Sequence, residues 1–217
     1  MTRKQRLANP LALAVLVLLF ERPMHPYEMA ATLKQRHKEA SIKLRFGSLY
    51  TVIELLVREG FIVAKETSRE GRRPERTVYT LTPVGELEMR DWLAELIGTP
   101  VKEYPRFEAA LSLMPALAAE RATELLEARI VRLDQETARV RNEQAAAPKE
   151  VPRLFLVEGE YYLACLEAER RFVAALVDGI KNETLDGVKF WKEAHAAKRA
   201  GEPLPSLELP KQQATEA

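Results

Sequence analysis

Residues 46–62 read FGSLYTVIELLVREGFI. At about 100° per residue, Leu49, Val52, Ile53, Leu56 and Val57 share one side, which predicts a core-facing helix over 46–59. Gly47, Ser48, Thr51, Glu54 and Arg58 fall opposite, Tyr50 lies on the border and Leu55 sits outside the stripe. Gly60 supplies a C-terminal stop that tolerates positive φ. A core-forming helix thus begins with small or hydrogen-bonding side chains on its outer side, and the rest of the chain must explain them.

Upstream, residues 10–20 (PLALAVLVLLF) are apolar all round, as for a helix at the centre of a small domain. Asn9 reads as its N-cap and Pro10 as its first helical residue. The basic start MTRKQR followed by this run also has the outline of a signal peptide. The run is too short to span a bilayer, and the residues after Phe20 lack a small-x-small cleavage pattern, so a buried helix is the better reading. ERPMHPYEM breaks the run, and Pro26 can open a second helix, PYEMAATLKQRHKE. Residues 40–45 form a connector.

Downstream, FIVAKETS and RTVYTL are rich in β-branched and aromatic residues, and REGRRPE between them carries a turn's Gly and Pro. These predict a hairpin. TPVGELEMRDWLAELI then begins with Thr82 as N-cap and Pro83 at the first helical position, with Glu86 and Glu88 near its positive end, followed by the apolar Leu87, Trp92, Leu93 and Leu96. Three helices, a two-stranded wing and a further helix describe a winged helix-turn-helix. In that motif the third helix enters the DNA major groove and the wing reaches the neighbouring backbone.

Charge is split to match. Residues 1–81 hold 15 Lys and Arg against 8 Asp and Glu, whereas 82–217 hold 18 against 24. A basic first part joined to an acidic remainder suggests an anionic partner for the first part only. Arg69, Arg72, Arg73 and Arg76 crowd the hairpin turn, where guanidinium groups can grip phosphates bidentately or enter a narrow minor groove; Glu70 and Glu75 offset two of them. Lys43 and Arg45 precede the third helix and are natural contacts to the DNA backbone. Ser48, Tyr50 and Thr51 are the groove-facing candidates. Tyr50 and Tyr27 each admit a packing role or a contact to phosphate or base. Arg3, Lys4 and Arg6 form a basic arm or a solvated tail.

Gly98-Thr99-Pro100 marks a boundary, and the second half is helical. A short helix covers 106–114. Residues 119–145 repeat Leu126, Ile130, Leu133, Thr137 and Val140 at coiled-coil spacing. Residues 153–182 repeat Tyr161, Cys165, Ala168, Phe172 and Ala175, widened by Leu176 and Ile180. Matching narrow seams suggest an antiparallel pair that also packs on a second copy of the chain; a closed intramolecular bundle is the alternative. VKFWKEAHAAKRA predicts a short last helix, and 201–217 a disordered tail.

The stretches PMHPYEMAATL, GSLYTVIELLVREGFI and EGRRPERTVYTLTPVG, with the helical second half, resemble the PadR family of bacterial transcription regulators. The likeness is specific over roughly residues 10–90; beyond that it rests on helical pattern and LFLVEGEYYLACLEAE, similar to the long-form members. It implies a winged-helix homodimer, usually a repressor, on an inverted-repeat operator, released by a small molecule in some members. It also implies that the third-helix and wing residues named above contact DNA. Pro26 departs from the Gly that commonly follows the family's His, which should alter only the local turn. Family members with effector sites often place aromatics at the dimer interface. That makes Trp92 a candidate effector contact, with packing as the alternative.

Nothing points to an enzyme. His25, His37 and His195 are scattered without metal-ligand spacing, no nucleophile stands out and no phosphate-binding glycine loop occurs. Cys165, the only cysteine, excludes an intrachain disulfide and lies on an apolar seam. The expectation is a cytoplasmic, mainly α protein with a small β-hairpin wing. Residues 1–98 bind double-stranded DNA, 99–200 dimerise, and no cofactor, metal or membrane is involved. The rival reading is a winged-helix protein-interaction module on a helical scaffold, with no specific DNA target.

Overall fold

The computed structural model describes residues 9–42, 46–68, 76–146, 148 and 150–205. They fall into two compact units divided between Lys102 and Glu103.

The first unit is built on α1 (Pro10–Glu21). Asn9 caps it, its side-chain oxygen accepting from the Leu11 N–H at 3.0 Å, and Pro10 occupies the first helical position. Leu11, Ala12, Val15, Leu16, Leu18 and Leu19 are essentially inaccessible, so burial accounts for the uninterrupted apolar run. Among the described residues no helix is long and apolar enough to cross a membrane. Helix α2 (Pro26–Gln35) ends earlier than its sequence suggests. His37 turns into the left-handed region at φ 54°, and Lys38–Ala40 continue as a single 3₁₀ turn. Arg36, just past α2, donates two hydrogen bonds to the Glu21 carboxylate at 2.5 and 2.7 Å. That bidentate bond holds the Glu21 carboxyl below the usual carboxylate range.

Helix α3 (Phe46–Arg58) lays Leu49, Val52, Ile53 and Leu56 against the α1 core. Gly60, at φ 74°, then reverses the chain into β1 (Ile62–Ser68). This strand pairs antiparallel with β2 (Arg76–Leu81), from Ile62 opposite Leu81 to Ser68 opposite Arg76, with a register shift between Ala64 and Glu66. Phe61 and Ile62 anchor the base of the hairpin in the core.

Helix α4 (Pro83–Gly98) follows at once. Thr82 caps it: its hydroxyl oxygen accepts from the Gly85 N–H at 3.0 Å and lies within donating distance of the Gly60 and Phe61 carbonyls. Gly85 is required here, because a Cβ at that position would stand 2.0 Å from the Phe61 carbonyl oxygen. Only one edge of α4 packs: Met89 is buried, and Trp92 and Leu93 lean on the core. Leu87 and Leu96, apolar residues of the same helix, lie in solvent. Leu87 lies on the side of α4 opposite Met89, and Leu96 is a turn beyond Trp92, outside the core cluster.

The second unit holds α5 (Arg106–Leu113), α6 (Ala119–Ala145), α7 (Val157–Lys181) and α8 (Val188–Ala200). The long helices α6 and α7 run antiparallel. Glu127, near the start of α6, meets Lys181 at the end of α7, Arg129 and Asp134 meet the adjacent Glu169 and Arg170, and Arg141, near the end of α6, meets Glu167. Leu126, Leu133, Thr137 and Val140 of α6 are buried. Two apolar clusters join the helices: Ala119, Ala122 and Leu126 with Val173, Val177 and Ile180, and Leu133 and Val140 with Leu166. Helix α8 closes the first of these with Val188 and Trp191, whose indole N–H donates to the Leu117 carbonyl at 2.7 Å.

Candidate nucleic-acid interface

Two opposed faces of α3 define the candidate site. The inner face belongs to the core. On the outer face Gly47, Tyr50, Thr51, Glu54 and Arg58 are all exposed, and Ser48 is half-buried. Tyr50, a border residue by periodicity, keeps 54% of its surface accessible, so its ring is presented outward rather than tucked into the core. Val57, expected inside, is exposed, while Leu55 packs against the cluster. The buried side is centred on Leu49, Val52 and Leu56, which rolls the helix so that Leu55 meets the core and Val57 turns out.

The Thr51 hydroxyl donates to the Gly47 carbonyl one turn back, at 3.1 Å. Its proton is therefore committed within the helix, leaving the γ-methyl and an oxygen lone pair for an outside group. Lys43 and Arg45 lie outside the described residues.

Tyr27 stands in the first turn of α2 with 75% of its surface accessible. The start of this helix is tied to the wing. Met24 and Tyr79 exchange two backbone hydrogen bonds at 3.1 and 3.0 Å, so Met24 adds a single bridge beside β2. His25 Nδ1 lies 3.1 Å from the Thr77 carbonyl oxygen, and donates to it when that nitrogen carries the proton. The stretch ERPMHPYEM looks in sequence like a break between helices. It is also the clamp that holds the wing base against the body, and a lone Met and His give no pattern from which to foresee a bridge to residues more than fifty positions away. Arg76 opens β2 opposite Ser68. Arg69, Arg72 and Arg73 lie outside the described residues.

Trp92 is half-buried against the first unit's core. Its packing is thereby accounted for within that unit.

On α7, the seam picked out by spacing does not face α6. Leu166, Val173, Val177 and Ile180 make the internal contact, whereas Tyr161, Cys165, Ala168 and Phe172 are exposed. Tyr161 and Phe172 keep 73% and 54% of their surfaces accessible, and exposed Val157 extends the stripe a turn earlier. Leu176 differs from the other four: it packs on the internal cluster with Val173 and Val177. The Cys165 side chain, hydrogen-bonded to Tyr161, pushes the Tyr161 phenol above its ordinary pKa.

Residues 15–91 match the model of the transcriptional regulator PadR-like family. No curated protein matches the chain by sequence. Solved structures with the same fold include Bacillus subtilis PadR in complex with operator DNA, at TM-score 0.54 and 20% identity over 76% of this chain and 99% of that one. The same protein in complex with p-coumaric acid gives 0.53 and 19%, over 76% and 98%. The Vibrio cholerae virulence activator AphA gives 0.58 and 15%, over 80% and 99%. The matched segment runs from within α1, through the wing, to the middle of α4, the elements that build the two-faced third helix. That segment is the part of the chain that is similar to the PadR-like family of transcriptional regulators.

Proposed function

We propose that this chain binds an inverted-repeat operator in double-stranded DNA as a homodimer and represses the gene beside it. The observation that carries the reading is the outer face of α3: polar or small side chains, exposed, on a helix whose other face is a packed core. A major groove admits such a helix, and a base edge needs hydrogen-bonding or methyl partners at its surface. Ser48, Tyr50 and Thr51 offer these. Lys43, Arg45 and Tyr27 position the backbone, and Arg69, Arg72, Arg73 and Arg76 let the wing grip phosphates. The operator complex of the Bacillus subtilis relative supports the same use of the fold.

The exposed stripe of α7 accepts a second copy through Tyr161, Cys165, Ala168 and Phe172, with Leu176 supporting it from the inner side. Residues 1–98 then read DNA and 99–200 set the separation of two recognition helices. Such a dimer should fit half-sites about one helical turn apart, roughly 34 Å. The p-coumaric acid complex of the same relative supports release by a small molecule. Such an effector works by binding more tightly to a dimer spacing that fits the operator less well. The operator being chromosomal, the protein acts in the cytoplasm.

Selection of bound fragments from genomic DNA, followed by a mobility shift on the fragment recovered, tests this. Changing Arg72 and Arg73 together to Ala should weaken binding to every sequence and make the salt dependence shallower by about two phosphate contacts. Unchanged binding would remove the wing from the interface. A chain with no affinity for any duplex would favour the protein-interaction module instead.

A further inference from the structure

Among the described residues nothing gives Gly47 an internal reason to be a glycine. It is the second residue of α3 and has ordinary helical backbone geometry, where glycine is a poorer helix former than alanine. Gly60 needs its positive φ, and Gly85 would otherwise drive a Cβ into the Phe61 carbonyl. Around Gly47, apart from its chain neighbours and its own helix backbone, no atom of the described residues lies within 4 Å of where a Cβ would sit. Among the described residues nothing forbids a side chain there.

The position is on the exposed face, one turn before Thr51 and next to the outward-turned Tyr50. The Thr51 hydroxyl folds back onto the Gly47 carbonyl, which keeps that side chain low along the same strip. The result is a bare stretch of helix backbone with a tyrosine ring standing beside it. A bare stretch serves a partner that comes into van der Waals contact with the backbone itself and that cannot move aside. A flexible partner would tolerate one more methyl group; the wall of a duplex groove is rigid.

We propose that Gly47 is the point of closest approach between α3 and duplex DNA. Its missing side chain sets how deeply the helix lies in the major groove, and through that depth whether Thr51 reaches a base edge. Gly47 is a positioning residue, and its role rests on the DNA-binding reading above.

The test compares Gly47→Ala with the wild-type chain and with Gly98→Ala. Gly98 is another glycine of the first unit with open space around its Cβ position, and it ends α4. The probe is the duplex that the wild-type chain selects from a random pool, alongside a scrambled duplex of equal length. Gly47→Ala should keep or raise the thermal midpoint and keep the oligomeric state. It should bind the selected duplex about tenfold or more weakly, on the scale of one lost base contact, and its binding to scrambled duplex at low salt should persist. Gly98→Ala should change none of these.

Full affinity and discrimination in Gly47→Ala would overturn the proposal while leaving the DNA reading intact. A lowered midpoint in that variant would also overturn it, by exposing an internal role for the glycine. An equal loss in Gly98→Ala would do the same, by showing that position on α3 is irrelevant. A wild-type chain that selects no duplex would end the DNA reading itself and this proposal with it.

Discussion

On the DNA-binding reading proposed above, Thr51 offers two groups to a base edge, and the structure ranks them. Its hydroxyl proton already goes to the Gly47 carbonyl, so donation to a base would first break that bond. The methyl group carries no such commitment. The expected preference at its contact is therefore a thymine, whose 5-methyl is the apolar feature of the major groove. Thr51→Ser, which keeps the hydroxyl and loses the methyl, should relax that preference by about 1 kcal/mol. Thr51→Val, which keeps the methyl, should hold it. Binding to a set of duplexes varied at one position reads this directly, and the opposite pattern would make the hydroxyl oxygen the reader, accepting from a base amine. The exposure of Thr51 was legible from helical periodicity alone. Its back-bond was not, because a threonine in a helix can turn its hydroxyl inward or outward at similar cost. Tyr50 and Val57 show the same limit. Both sit near the edge of the apolar stripe, where a small roll of the helix exchanges inside for outside, and only the packing of Leu55 against the core settles the roll.

At the scale of elements, the joint between the wing and α4 is tightly constrained. Thr82 gathers the Gly60 and Phe61 carbonyls and the Gly85 N–H around one hydroxyl, and Gly85 lies against the Phe61 backbone. A Cβ at position 85 would meet backbone atoms at 2.0 and 2.8 Å and the Leu81 side chain at 3.0 Å. Backbone within a hairpin base yields far less readily than the tip of a side chain. Gly85→Ala should accordingly cost about 1–3 kcal/mol of stability, the range for overpacking, seen as a lower midpoint in urea with an unchanged slope. A variant as stable as the wild type would show that the joint can open without loss. The helix start was readable from TPVG, since Thr before Pro is a capping signal. The requirement for Gly85 was hidden, because it depends on a carbonyl twenty-four positions earlier in the chain. The second long helix carries a comparable lesson. Helix α7 has two apolar stripes at similar spacing, and periodicity cannot say which one a neighbouring helix will cover. The Val173 and Val177 stripe faces α6; the Tyr161 and Phe172 stripe is left outward.

For the whole molecule, that outward stripe is what would turn one DNA-reading unit into two. Tyr161, Cys165, Ala168 and Phe172 follow one another at spacings of four, three and four, so they form a line along α7 rather than scattered exposed residues. A continuous apolar line on a long helix matches a coiled-coil-like contact with a copy of itself, and a twofold contact would pair the same stripe on both copies. Phe172 is the most informative position, because it is large and more than half exposed in the single chain. Phe172→Glu should therefore leave helix content and thermal unfolding of the separate chain nearly unchanged, yet place two like charges in the contact. Sedimentation should report a monomer for the variant and a dimer for the wild-type chain. Operator affinity should fall by about a hundredfold or more, because the second half-site no longer benefits from the first. Binding to a single half-site should be unaffected. A variant that stays dimeric would move the contact away from this stripe. One that becomes monomeric but keeps full operator affinity would remove the dimer from recognition.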